Sequence, residues 1–275
     1  MTPPKDANSL NVGIFDSGVG GLTVLREIRR LLPAAQLNYV ADSGFAPYGD
    51  QTDDYIVTRS RIIVQALVDA GAQAVVVACN TATAAAVDVL RAEFALPIIA
   101  IEPAVKLAQK HTHSGRVGIV ATHSTLDSAR VKQLITDANA QGLHIFTQAC
   151  TAWVACVEAG ELDSAATLAL LAQDLQPLLA QDIDTLVLGC THFPLLSAQI
   201  QHIVGEGVQL IDPAPAVARE LVRRLGVVTD GVGAGDTAFY TSGNVAVADR
   251  VLRVLSPCLG GLLIHHAQPF SELVE

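Results

Sequence analysis

The sequence predicts an α/β protein of two pseudo-symmetric, doubly wound parallel-sheet domains, and three observations predict it. Apolar, β-branched runs alternate with segments of helical period along the chain, the pattern of strands joined by crossover helices. Hydrophobic residues make up 51% of the 275 residues and aromatics only 4%, so the cores must be built from Val, Leu, Ile and Ala, which suits covered parallel sheets. The chain also repeats itself. Residues 74–83 and 184–193 are each an apolar run ending in Cys and a small polar residue; Gly13-Ile14-Phe15-Asp16-Ser17 is answered by Gly118-Ile119-Val120-Ala121-Thr122, and Ile101-Glu102-Pro103 by Ile211-Asp212-Pro213. Solenoid repeats run about 20 to 50 residues, so this much longer spacing points to two domains of one architecture. The expected division is residues 1–101 completed by 214–275, and residues 102–213.

The elements follow in order. Residues 11–15 form a strand, 18–21 a tight turn, and 22–32 a helix with Pro33 just beyond its end. A strand over 37–41 leads into a polar loop at 42–52, and the helical period of 54–70 stops at Gly71. The Cys79 strand, a helix over 83–93 and a strand over 98–101 complete the first series. The second series is a strand at 117–121, a helix at 125–140, a strand at 144–147, a helix at 161–180, the Cys190 strand, a helix at 194–204 and a strand at 208–211. Pro213 and Pro215 introduce a helix over 216–225, and residues 226–235 read as a flexible link. The remainder, extended at 238–241 and helical at 246–255, has no counterpart in the repeat and is expected to pack back on the first domain.

Composition excludes several functions. A formal charge of −10 provides no basic stripe for nucleic acid or an anionic membrane, so an anionic ligand must be held by backbone N–H groups at helix starts. The first ten residues have no apolar signal region, and no run approaches the roughly 18 apolar residues of a membrane span, so the expected compartment is the cytoplasm. Five cysteines without CxxC spacing support neither a disulfide framework nor a structural zinc site. No metal or other cofactor is expected. Gly18-Val19-Gly20-Gly21 has part of a dinucleotide fingerprint, but its third glycine falls at Thr23, and the Lys-Ser/Thr of a phosphate loop is missing.

The chemistry concentrates at strand ends, where open α/β sheets bind ligands. A single strand-end Cys reads as a small buried hydrophobe. Cys79 and Cys190 in matched settings read as a pair, and facing domains would place them across a shared cleft. Asp16, Tyr48-Gly49, Asn80-Thr81 and Thr191-His192 converge on the same rim, as polar groups do around a small-molecule site. A cysteine protease has no use for a second equivalent thiol, and a dithiol redox pair usually uses C-x-x-C. Stereoinversion suits two thiols: a thiolate removes a carbon-bound proton on one face and a thiol returns a proton on the other. Asp16 and His192 are candidate helpers for the thiol protons, and Ser17, Asn80, Thr81 and Thr191 are candidate donors to the carbanion.

Four motifs in register carry a resemblance. Gly13-Ile14-Phe15-Asp16-Ser17-Gly18-Val19-Gly20-Gly21, Pro47-Tyr48-Gly49, Ala78-Cys79-Asn80-Thr81-Ala82 and Leu188-Gly189-Cys190-Thr191-His192-Phe193-Pro194-Leu195 resemble the signatures of the glutamate racemases, in the cofactor-independent aspartate/glutamate racemase superfamily. The resemblance spans about residues 11 to 255. It implies that Cys79 and Cys190 are the two acid/base residues, assisted by Asp16 and His192, and that Glu158 is an acidic residue on the side of the second cysteine. It further implies that Asp16, Ser17, Tyr48, Gly49, Asn80, Thr81, Thr191 and His192 line the site for glutamate, and that the product is D-glutamate for peptidoglycan. The chain departs from the family at 150–156, where Cys-Thr-Ala-Trp-Val-Ala-Cys stands in place of the common Cys-Pro-Leu-x-Val-Pro-Leu. An aspartate racemase would share the thiol pair, and an amino-acid-binding module would need neither thiol. The oligomeric state, a homodimer or otherwise, is left open.

Overall fold

The structure is a computed structural model that describes residues 10–227, 234–260, 262, 264 and 266–274. In chain order, the first elements are β1 (Asn11–Asp16), α1 (Leu22–Leu31), β2 (Gln36–Ala41), α2 (Asp53–Asp69), β3 (Ala74–Val77), α3 (Asn80–Glu93) and β4 (Ile98–Ala100). There follow α4 (Val105–His111), β5 (Arg116–Ala121), α5 (His123–Asp127), α6 (Ala129–Ala140), β6 (His144–Ala149), α7 (Ala152–Ala159), α8 (Ala165–Leu179), β7 (Thr185–Leu188), α9 (Ser197–Val204) and β8 (Gln209–Ile211). The chain closes with α10 (Ala214–Leu225), β9 (Thr237–Thr241), α11 (Val245–Leu255), β10 (Ala267–Pro269) and α12 (Ser271–Val274).

Two compact units emerge: Met1–Ile101 with Ala214–Glu275, and Glu102–Pro213. The first holds a six-stranded sheet of order β10-β9-β2-β1-β3-β4, and the second a four-stranded sheet of order β6-β5-β7-β8. Every strand pair in both sheets is parallel, so the predicted α/β class is borne out. The run β2-β1-β3-β4 has the order of β6-β5-β7-β8, and the registers agree: Phe15 lies opposite Val77 as Val120 lies opposite Leu188. The repeat is therefore one of topology as well as sequence. In each sheet the order reverses between the first and third strands of the series, and ligands bind at such switch points, beyond the carboxyl ends of the strands. Asp16 and Cys79 leave the first switch point; Thr122 and Cys190 leave the second.

The cores explain the composition. In the first unit Phe15, Val75 and Val77 of the sheet pack with Ile63, Val64 and Leu67 of α2 and with Ala82, Ala86 and Leu90 of α3. Val117, Ile119 and Val187 of the second sheet pack with Val105 and Ala108 of α4 and Ala138 of α6. The matched glycines Gly13 and Gly118 let a helix lie close on the sheet. A Cβ at Gly13 would fall 2.9 Å from Leu67 Cδ1 and 3.0 Å from Leu67 Cβ, whereas one at Gly118 would meet mostly methyl ends, with Ile183 Cδ1 at 2.8 Å. A methyl end can swing aside and a side-chain stem cannot. Gly13→Ala is therefore expected to destabilise by about 1–3 kcal/mol, and Gly118→Ala by less. Urea midpoints of the two variants check the order; equal midpoints would contradict it.

The structure redraws several expected boundaries. α3 begins at Asn80 rather than residue 83, because Cys79 caps it, its Sγ accepting the Ala82 N–H at 3.4 Å. The single helix expected over 125–140 is two, since Ser128 adopts an extended backbone and its Oγ accepts from Val131 N. Ser164 caps α8 in the same way, so that helix starts at 165 rather than 161. A 3₁₀ turn at Phe193–Leu196 precedes α9, and α10 starts at Ala214. The sequence reading passed over α4, α7, β10 and α12. Gly160, left-handed at φ 74°, ends α7 and was the signal for it. Residues 228–233 of the expected 226–235 link lie outside the described residues. The segment after it adds β9 to the β2 edge, with Leu37 opposite Thr237.

Candidate active site

Each unit carries a polar cluster at its switch point. In the first, β1 delivers Asp16, fully buried, and the turn to α1 folds over its carboxylate. Oδ1 accepts the Ser17 N–H at 2.6 Å and Oδ2 accepts the Gly21 N–H at the start of α1. Gly21 is required there by close approach, because a Cβ would lie 2.8 Å from the Tyr39 hydroxyl and 2.9 Å from Asp16 Cβ. Ser17 Oγ lies 3.6 Å from Cys79 Sγ, so hydroxyl, thiol and the first turn of α3 meet in one place. Burial pushes the Cys79 thiol up and the Asp16 carboxylate pushes it further; the Ala82 N–H and Ser17 pull the other way. The net result favours a protonated Cys79.

The amide of Asn80, beside that thiol, is 5% exposed, and neither its nitrogen nor its oxygen has a partner. Buried amides are nearly always satisfied, so this donor and acceptor at a strand end have the capacity to bond a water or a ligand. Thr81 follows, also buried. Tyr48 and Gly49 sit on a 3₁₀ turn in the loop between β2 and α2, where the buried Tyr48 donates its hydroxyl to Asp42 Oδ2 at 2.6 Å. Arg59 of α2 donates to the same carboxylate, from Nε to Oδ2 at 3.0 Å and from Nη2 to Oδ1 at 2.7 Å. The sequence reading singled out neither Asp42 nor Arg59 for this site. The available signal was periodicity: Arg59 falls within the buried stripe Ile56, Ser60, Ile63 of α2, where a cation needs a partner.

The cluster in the second unit repeats the backbone and changes the chemistry. Ala121 and Thr122 occupy the places of Asp16 and Ser17, so no carboxylate from β5 faces Cys190. His192 stands there instead, 3% exposed, with Nδ1 3.7 Å from Cys190 Sγ and Nε2 2.6 Å from Glu158 Oε1. Burial opposes a charge on His192, yet the Cys190 sulfur and the Glu158 carboxylate raise its pKa well above the ordinary value. The arrangement thus favours an imidazolium beside this sulfur. Thr191 Oγ1 lies 3.5 Å from His192 Nδ1. Glu158 reaches the imidazole because α7 is pinned: Trp153 is fully buried, donates Nε1–H to Asp174 Oδ2 at 2.8 Å, and meets the Phe193 ring at 4.8 Å between centroids. Most of the stretch that departs from the proline-containing family pattern is therefore ordinary helix, α7 from Ala152 onward, which presents Glu158 five residues beyond Trp153.

The structure thus places Asp16, Ser17, Cys79, Asn80, Thr81, Tyr48 and Gly49 in the first unit, and Glu158, Cys190, Thr191 and His192 in the second. Among the described residues no group of three or more His, Cys, Asp or Glu side chains could hold a metal ion. No described helix is long and apolar enough to cross a membrane.

Residues 13–221 match the family model for Asp/Glu/hydantoin racemases. The chain belongs to that family. The glutamate racemase of Methylococcus capsulatus is 46% identical over 253 residues, covering 91% of this chain and 93% of its own. The fold is similar to the crystal structure of a glutamate racemase isoform from Bacillus anthracis, with a TM-score of 0.83 at 32% identity, covering 95% of this chain and 97% of that one. It is also similar to Escherichia coli glutamate racemase in complex with L-glutamate and the activator UDP-MurNAc-ala, with a TM-score of 0.81, 34% identity, and coverage of 90% and 94%. The resemblance carried by the four motifs is therefore borne out over nearly the full chain.

Proposed function

We propose that this chain interconverts L-glutamate and D-glutamate without a cofactor, Cys79 and Cys190 each serving as base for one enantiomer and acid for the other. The observation that carries the reading is the pair of strand-end thiols at matched switch points, each beside a different polar group, the Ser17 hydroxyl for Cys79 and the His192 imidazole for Cys190. One thiol removes the α-proton from its face of the substrate, and the other protonates the carbanion from the opposite face. Each thiol then ends in the other's protonation state, so the same pair works in reverse. An ordinary thiol is only a few per cent thiolate near neutrality. His192, held by Glu158 and favoured as an imidazolium, is the proton partner beside Cys190; Asp16 favours the protonated Cys79 thiol and so readies it as the acid on its side. Ser17, Asn80, Thr81 and Thr191 supply donors for the substrate carboxylates and the developing charge, and the resemblance adds Tyr48 and Gly49 to that lining.

The relatives carry the name glutamate racemase, which favours glutamate over aspartate as the substrate. The expected product is D-glutamate for peptidoglycan, made in the cytoplasm. Circular dichroism of L-glutamate and of L-aspartate incubated with the purified protein, no cofactor added, tests the reading. Glutamate ellipticity is expected to decay to zero while aspartate is held or changes far more slowly. An unchanged glutamate signal would overturn the activity, and the reverse preference would reassign the substrate.

A further inference from the structure

We infer that Arg59, acting through the Asp42 carboxylate, is a positioning residue for the loop that presents Tyr48 and Gly49. What the loop binds rests on the racemase reading; that it is held by this pair does not.

The loop needs an anchor, because it belongs to no sheet and to no helix longer than a single 3₁₀ turn. Its backbone makes mostly local bonds, Phe45 N to Asp42 O and Gln51 N to Tyr48 O, with Gly44 N donating to Ser242 Oγ further away. Its fixed point is Asp42. That residue's N–H donates to Asp16 O at 2.9 Å, tying the start of the loop to the strand end that carries the Asp16 carboxylate. Its side chain is fully shielded from solvent, and both oxygens are engaged: Oδ1 by Arg59, Oδ2 by Arg59 and by the Tyr48 hydroxyl. The guanidinium carbon of Arg59 also lies 3.5 Å from the centre of the Phe45 ring. One cation on α2 therefore holds the first half of the loop, at Asp42 and Phe45 directly and at Tyr48 by way of Asp42.

The bidentate fork fixes more than charge. A guanidinium meeting a carboxylate at two nitrogens sets the plane of that carboxylate, which a lysine ammonium cannot do. The plane in turn fixes where Tyr48 must place its hydroxyl. Because the single phenolic proton is given to Asp42, the Tyr48 oxygen has only acceptor capacity left for anything else. Losing Arg59 would leave a buried carboxylate unpaired, and the loop would have to move to bring it water.

The test compares Arg59→Gln, Arg59→Lys and the charge-neutral double variant Asp42→Asn/Arg59→Gln, which removes the orphaned charge in case the first does not fold. Two readouts are taken on the full chain. Hydrogen exchange of peptides covering residues 43–52 is expected to speed up in Arg59→Gln and in the double variant, with exchange in the sheets unchanged. In racemisation assays KM for both enantiomers is expected to rise by about 10- to 100-fold with a much smaller change in kcat, as for a misplaced binding element. Arg59→Lys should fall between wild type and Arg59→Gln in both readouts. A merely structural ion pair would lower the active fraction, so kcat would fall with KM unchanged. That result, or wild-type exchange in the loop, overturns the inference. If the wild-type chain does not racemise glutamate the functional reading fails, and the exchange data alone still decide whether Arg59 holds the loop.

Discussion

Cys79→Ser and Cys190→Ser are each expected to abolish racemisation while leaving the fold intact. Serine preserves the shape of either thiol, so in Cys79→Ser the cap of α3 survives, the introduced hydroxyl accepting from Ala82 N as the Cys79 sulfur does. What is lost is the acidity. A hydroxyl holds its proton far more tightly than a thiol, whose ordinary pKa is about 8.5, so the altered side can neither form the base nor work as a matched acid. Positioned proton transfer contributes about 10²- to 10⁴-fold to a rate, and inversion needs it on both faces of the carbon. Either substitution alone should therefore cost at least that much in kcat, read by circular dichroism, with melting temperatures close to that of the parent. Retained racemisation in either variant would reduce that cysteine to a packing residue.

Asp16→Asn is expected to cost both stability and rate, for separable reasons. The carboxylate is fully buried and accepts two backbone N–H groups at the start of α1. An amide presents an NH₂ to one of those donors, so one hydrogen bond to a charged group is exchanged for a clash of donors. Leaving a buried donor unsatisfied costs about 1–3 kcal/mol, which a denaturant midpoint reads directly. The kinetic loss comes from Cys79, which loses the neighbouring negative charge that favours its protonated form. At temperatures where the variant is folded, kcat should still fall by about 10²-fold or more. A variant equally active per folded molecule would confine Asp16 to a structural role at the helix start.

The parallel sheets and their duplication were legible because both rest on local signals: β-branched runs ended by glycine or polar residues, and a repeat that the registers of β1 with β3 and of β5 with β7 reproduce. Residues at strand ends were legible for the same reason, since locating a strand locates its carboxyl end. Two kinds of information were not in the local pattern. α7 is short and mostly apolar, and is held by contacts of Trp153 with Phe193 and Asp174 that are distant in sequence. Glu158 therefore entered through resemblance alone, because its meeting with His192 depends on where α7 docks. The Asp42–Arg59 pair was hidden too, since Asp42 ends one element and Arg59 lies inside the next, and only the fold of the intervening loop brings both to Tyr48. Boundaries shifted where a side chain took over capping, at Cys79, Ser128 and Ser164.

The central claim is that each thiol works on its own face of one substrate, and racemisation rates alone cannot test which thiol serves which enantiomer. Enantiomers have equal free energy, so the ratio of kcat/KM in the two directions is fixed for every variant, however asymmetric the damage. Elimination escapes that constraint. A glutamate analogue with a leaving group at carbon three loses its α-proton and then the leaving group, and needs no proton returned from the opposite face. The decisive measurement is therefore elimination from each enantiomer of such an analogue by Cys79→Ser and by Cys190→Ser. The account predicts mirror-image selectivity, each variant processing only the enantiomer whose α-proton faces its remaining thiol. The same enantiomer preference in both variants, or elimination from both enantiomers by a single variant, would contradict it.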